Sequence, residues 1–142
     1  MIRTKGIVLK ALKYKESSLI LDIFTEDQGL HSFLINSVYK KGDQRLAAIL
    51  SAGNIIELIA YFNEQKNLHR LKEVQYAYIY QDINFNLVKS AISTFILEIC
   101  RKTIKDNHPN PELFQFIQRC LIILDKQEIA DPDFHLKFLI RL

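Results

Sequence analysis

Residues 18–38 read Ser18-Leu19-Ile20-Leu21-Asp22-Ile23-Phe24-Thr25-Glu26-Asp27-Gln28-Gly29-Leu30-His31-Ser32-Phe33-Leu34-Ile35-Asn36-Ser37-Val38, two β-rich runs about one tight turn. The flanking runs, 18–25 and 30–38, are dominated by Ile, Leu, Phe and Val, which fit a pleated, half-buried surface. Between them Glu26-Asp27-Gln28-Gly29 supplies turn chemistry, with Gly29 able to take the positive φ that closes it. In the second run His31, Phe33 and Ile35 fall on one face, and Ser32, Leu34 and Asn36 on the other. The hairpin has a strand before it (3–14). After it come a long polar segment (39–44), a short helix (45–50), punctuation at Gly53-Asn54 and two further strands (55–62 and 68–80). Five short strands in about eighty residues, with the longest insertion after the third, is the economy of an OB-type barrel. The pattern alone also accommodates a small SH3-like barrel.

Near residue 82 the period changes from two to that of a helix. Val88, Ala91, Ile92, Phe95, Ile96, Ile99 and Thr103 form an apolar stripe, with Lys89, Ser93, Arg101 and Lys102 expected on other sides, and Asn84 or Asn86 can cap the start. A second helix opens with Asn110 as N-cap, Pro111 at its first position and Glu112 beside the positive end of the dipole. Its stripe is Leu113, Phe114, Ile117, Cys120, Leu121 and Leu124. Asp131-Pro132-Asp133 repeats the device, and Phe134, Leu136, Phe138, Leu139 and Leu142 follow without a stop signal. The expected organisation is α+β: a five-stranded OB barrel at 1–80 and a helical domain at 81–142 that continues beyond this chain.

Composition excludes several classes. Hydrophobic residues at 49% and charged residues at 25% of 142 make the chain globular rather than disordered. No apolar run approaches the ~18 residues that a membrane span requires, and no leader pattern opens the chain. No Gly-rich phosphate loop, G-x-S-x-G, H-E-x-x-H or C-x-x-C occurs. The histidines His31, His69, His108 and His135 are scattered over different elements. Cys100 and Cys120 sit on apolar helix sides, where core packing rather than metal binding is expected, as reduced thiols of a cytoplasmic protein. Glu26 and Asp27 read as solubilising turn residues rather than an acid/base pair. An enzyme is therefore not expected, nor a cofactor or a small-molecule substrate.

Charge points to the barrel. Residues 1–80 carry eleven Lys/Arg against eight Asp/Glu, while 81–142 carry eight of each, so the whole net charge of +3 belongs to the first half. Single-stranded nucleic acid needs cations along its phosphates and flat rings for its bases, worth roughly 1–3 kcal/mol per stacked base. Lys10, Lys13 and Lys15 surround Tyr14; Lys40 and Lys41 adjoin Tyr39; Lys66, His69, Arg70 and Lys72 lie near Tyr61 and Phe62. The strongest element is the basic loop Lys40-Lys41-Gly42-Asp43-Gln44-Arg45, with Lys40, Lys41 and Arg45 as expected phosphate contacts. Arg3, Lys5, Lys10, Lys13, Arg70 and Lys72 are expected contributors, and Tyr14 and Tyr39 expected stacking residues. The same lysines also suit solvation and edge protection of a barrel, and Phe24, Phe33 and Phe62 suit its core. The residues alone leave a nucleic-acid binder, of DNA or of RNA, and a protein-interaction adaptor both open.

Gly6-Ile7-Val8-Leu9, Tyr14-Lys15-Glu16-Ser17 and Ile23-Phe24-Thr25 with Gly29 four residues on resemble the N-terminus of the bacterial recombination mediator family RecO. The resemblance runs on through Lys40-Lys41-Gly42 and Asn110-Pro111-Glu112-Leu113-Phe114 to Phe134-His135-Leu136-Lys137-Phe138-Leu139, essentially the whole chain. It implies an OB-fold and a helical domain, binding of single- and double-stranded DNA, and annealing of complementary strands. It also implies contact with the C-terminal tail of the single-stranded-DNA-binding protein SSB and partnership with RecR in loading RecA, with no cofactor consumed and no membrane. Asp43 dilutes a loop that the family usually makes more basic, and His135 stands where the family commonly has an acid. The four-cysteine zinc site of many members lies in a region beyond residue 142.

Overall fold

β1 (Ile2–Tyr14) is the strand on which the fold turns. Its first half pairs with β4 (Ile55–Tyr61) and its second with β2 (Ser18–Thr25), both antiparallel, and a register shift between Val8 and Lys10 bends it from one partner to the other. Gly6 stands where β1 turns into the barrel: a Cβ there would meet the Ile23 side chain at 2.5 Å and Leu58 at 3.1 Å. β3 (Gly29–Ile35) follows β2, and β5 (Leu68–Tyr78) follows β4. The barrel closes in the order β1-β2-β3-β5-β4, every seam antiparallel except β3–β5, where Ser32, Phe33 and Leu34 face Leu68, His69 and Arg70 in parallel. A short helix, α1 (Arg45–Ile49), lies between β3 and β4. The computed structural model describes residues 1–39, 44–104, 107–128, 131, 133, 134, 137 and 138. This is an N-terminal OB-fold followed by a helical part, as the strand spacing predicts.

The helical part consists of α2 (Leu87–Thr103) and α3 (Pro111–Lys126). Asn86 caps α2 by accepting from the amides of Val88 and Lys89, and Asn110 caps α3 by accepting from Leu113, ahead of Pro111. Of the third expected helix, Phe134 and Phe138 are buried, and the Phe138 ring stacks on Phe116 at 5.7 Å. Much of that segment, including His135 and Leu139, lies outside the described residues.

Two apolar cores share the wall of the barrel. Val8, Leu21, Ile23, Phe33, Leu50, Ile56 and Leu58 fill the interior, while Ile7, Leu9, Phe24 and Ile55 face outward onto Ile96, Phe114, Ile117 and Leu121 of the helices. Ile7-Val8-Leu9 and Ile55-Ile56 are therefore apolar on consecutive residues, because both faces of those strands are buried. Each fully buried Leu, Ile or Phe contributes about 1.5–3 kcal/mol relative to an exposed one, so the helices are part of the wall's stability.

The structure corrects three sequence expectations. β3 stops at Ile35 rather than 38, where Ser37 takes a positive φ of 59°, and β5 stops at Tyr78 rather than 80. On α2 the buried face is Lys89, Ile92, Ser93, Ile96, Leu97 and Cys100, rotated from the predicted stripe so that Val88 and Ala91 are exposed. Lys89 and Ser93, expected on other sides, are inside. Lys89 can be buried because every hydrogen of its ammonium has an acceptor: the Asp125 carbonyl at 3.0 Å, the Gln127 carbonyl, and the Asp82 carboxylate at 2.7 Å.

Candidate nucleic-acid interface

Strand alternation puts Arg3 and Lys5 on the outer face of β1, opposite Ile59 and Glu57 of β4. Arg3 lies 3.5 Å from the Glu57 carboxylate, an exposed pair worth at most about 1 kcal/mol. Glu73 borders the same cleft, so this face carries both signs. Past the bulge, Lys10 is exposed opposite Asp22, whose carboxylate accepts from the Ser32 hydroxyl at 2.8 Å.

The end of the β1–β2 hairpin differs. Lys15 turns the chain with φ 57°, the Val38 amide donates to the Ser17 carbonyl at 2.7 Å, and the Ser18 hydroxyl donates to Asn36 at 2.7 Å. Those bonds hold the segment leading to Tyr39 against the hairpin. Lys13 Nζ then sits 5.5 Å from the centre of the Tyr39 ring, and Lys15 Nζ 5.4 Å from that of Tyr14. Tyr14 is 44% exposed. Lys40 and Lys41, next in sequence after Tyr39, lie outside the described residues, and Arg45 is the exposed first residue of α1.

A third group stands on the far side of β3. Arg70 is in register with Leu34 across β3–β5 and with Tyr61 across β4–β5, so the three side chains form a row on the outer face. Tyr61 is half exposed, and Lys66 and Lys72 are exposed nearby in sequence. The structure thus pairs Lys13 with Tyr39 and Lys15 with Tyr14 at the hairpin end, sets Arg70 beside Tyr61, and places Arg3 and Lys5 among acids. The described cations are distributed around the barrel rather than gathered on one face.

Two features were missed in the sequence. The parallel β3–β5 seam packs His31, Phe33, Phe62 and His69 into one aromatic cluster, with Phe62 stacked on His69 at 4.4 Å and the two imidazole rings edge to face at 5.3 Å. Burial, helped by the neighbouring His31, pushes His69 below the ordinary imidazole range. No spacing along the chain announces this pairing of residues 38 apart. The second is Asp125, which accepts from the amides of Gln81, Asp82 and Ile83 and from the Tyr78 hydroxyl, all within 3.1 Å. Burial pushes its carboxyl up, but those donors outweigh it and hold it below the usual carboxylate range. This one had a signal: Lys89 falls at the same helical spacing as Ile92, Ile96 and Cys100.

Among the described residues no group of three His, Cys, Asp or Glu is arranged to hold a metal ion, and no described helix is long and apolar enough to cross a membrane. What the barrel surface can do chemically is neutralise phosphates and offer ring faces to bases.

Comparison with known proteins agrees with the order of barrel and helices. Residues 1–80 match the family described as Recombination protein O N terminal, and residues 84–142 match Recombination protein O C terminal. The DNA repair protein RecO of Flavobacterium psychrophilum is 36% identical over 141 residues, which cover 98% of this chain and 58% of that protein. Its counterpart in Bacteroides fragilis is 33% identical over 140 residues, 99% of this chain and 58% of its own length. That of Enterococcus faecalis is 36% identical over 133 residues, 92% and 48%. The chain therefore spans somewhat over half the length of most of these relatives.

Proposed function

The chain belongs to the RecO family of DNA repair proteins, and from that premise we propose that it is a DNA-binding recombination mediator. It holds single- and double-stranded DNA on the barrel, brings complementary strands together, and with RecR helps RecA load onto SSB-coated single strands. It works in the cytoplasm, by binding alone, without a cofactor. The observation that carries the reading is the hairpin end, where Lys13 and Lys15 stand over Tyr39 and Tyr14. Cations there meet phosphates and the rings accept bases, and Lys40, Lys41 and Arg45 extend the same patch in sequence.

Reversing Lys13 and Lys15 to Glu together, and separately Lys40, Lys41 and Arg45 to Glu, is expected to weaken DNA binding at least tenfold in each case, measured by filter binding at fixed salt. Binding within twofold of the unaltered chain in both variants would contradict the assignment. A second reading, a protein-interaction adaptor, is favoured by Ile79, Phe85 and Leu87, which are 66%, 85% and 89% exposed around the start of α2. Within the main reading the same residues serve the contacts with the SSB tail and RecR. A chain that binds an SSB tail peptide and no DNA would favour the adaptor.

A further inference from the structure

We infer that the cleft beside the β4–β5 loop receives one unpaired base of a single-stranded nucleic acid, with its flanking phosphate on Lys66 and Arg70; this rests on the DNA-binding reading above. The cleft, of about 420 Å³, is lined by Leu34, Tyr61, Phe62, Asn63, Leu68 and His69 along with the two cations. That volume is in the range of small-ligand clefts, roughly 300–1,000 Å³.

Charge sets it apart from two other clefts of the barrel. The cleft beside Arg3 contains Glu57 and Glu73, and the one beside His31 contains Asp22 and Glu64. The lining of this one includes Lys66 and Arg70 and no carboxylate. A phosphate entering it meets attraction with no opposing charge in the wall.

The rings supply the base site. Tyr61 is half exposed and stands in the row Leu34–Arg70–Tyr61, which offers an apolar contact, a guanidinium plane and a phenol ring side by side. Phe62 is held by stacking on His69, which is itself wedged against Phe33 and His31. The base site is thus built before any ligand arrives, which lowers the ordering cost of binding. Hydrogen bonding is also available. Asn63 uses its side-chain oxygen on the Gln65 amide, which leaves its NH₂ group to donate. His69 Nδ1 accepts from the Asn63 amide, which fixes the imidazole beneath the cleft.

A base held in a duplex cannot enter such a cleft, so the inference separates single from double strands. The test uses the full 142-residue chain, a single-stranded oligonucleotide carrying 2-aminopurine, and the matching duplex. Tyr61→Ala is expected to weaken single-strand binding by about 5- to 150-fold, the loss of one stacked base at roughly 1–3 kcal/mol. It should abolish the 2-aminopurine fluorescence change and leave duplex binding within twofold. Arg70→Ala is expected to reduce the log–log salt slope by about 0.7 on single strands. If the unaltered chain binds single strands and Tyr61→Ala binds them equally well, the base site is overturned while DNA binding stands. Equal losses on single and double strands also overturn it. Absence of any single-strand binding by the unaltered chain overturns both this inference and the reading on which it rests.

Discussion

His69 and Asp125 are two buried side chains whose ionisation the fold shifts in the acid range, and both make the protein sensitive to acid. His69 is 2% exposed, and its folded pKa lies below the ordinary 6.5. As pH falls through 6.5 the unfolded chain takes up a proton that the folded one resists, so stability is complete above that value and declines below it. Asp125 has the same sign. Its carboxylate is held below the ordinary 3.8 by the Gln81, Asp82 and Ile83 amides and the Tyr78 hydroxyl, so its contribution is present above 3.8 and lost beneath it. Thermal melts between pH 8 and 2.5 are therefore expected to show a plateau above about pH 7, a first decline starting near 6.5, and a second below 3.8. His69→Phe should remove the first decline and keep the second. A melting temperature that rises from pH 7 to 5 would contradict the placement of His69. Neither residue is marked by its own type and position; the one signal near Asp125 is indirect, Lys89 in step with Ile92, Ile96 and Cys100. An imidazole in a β-run reads as exposed polarity until a parallel partner strand is placed over it, and an aspartate in the last turn of a helix looks misplaced against the dipole.

At the scale of elements, the ends were legible and the faces less so. Asn110-Pro111-Glu112 and Glu26-Asp27-Gln28-Gly29 carry their geometry in their own chemistry, and the structure realises both; Gly29 has φ +80°. Strand number was legible in the spacing of runs, but strand order was not, because the same five runs also suit a small SH3-like barrel. The face of α2 was harder, since Val88, Ala91 and Phe95 are as apolar as the residues that are buried. What decides the face is Lys89, the buried cation that ties the start of α2 to the end of α3. Its ammonium neutralises the carbonyl end of that helix, while Asp125 of the same turn holds the amides that follow β5. Barrel exit, α2 and α3 are thus fastened at one point. Lys89→Ala leaves the Asp125 and Gln127 carbonyls without their donor, while the partly exposed Asp82 regains water. It is expected to cost about 1–3 kcal/mol for each buried carbonyl left unpaired, read as a lower denaturant midpoint with unchanged slope. A cost under 1 kcal/mol would show that the helices hold by apolar packing alone.

For the molecule as a whole, the shared wall is the main structural fact. Ile7, Leu9, Phe24 and Ile55 belong to the core that the helices complete, so the barrel presents to a ligand only the surface that the helices leave uncovered. Among the described residues that surface carries Arg3, Lys5, Lys10, Lys13, Lys15, Lys66, Arg70 and Lys72. The sequence revealed which residue types were available, through lysines interleaved with tyrosines, but not how they are grouped. Grouping depends on register: Tyr61, Arg70 and Leu34 come from three strands, and Lys13 meets Tyr39 only because residues 36–38 are pinned to the hairpin. The proposed role of this surface is to bind DNA through its phosphates. Its most direct test is a fluorescence-anisotropy titration of a labelled single-stranded oligonucleotide at several salt concentrations. Micromolar or tighter binding is expected, with a log–log salt slope of about −2 to −4, corresponding to roughly three to six phosphates neutralised. No binding even at low salt, or binding with no salt dependence, would contradict it.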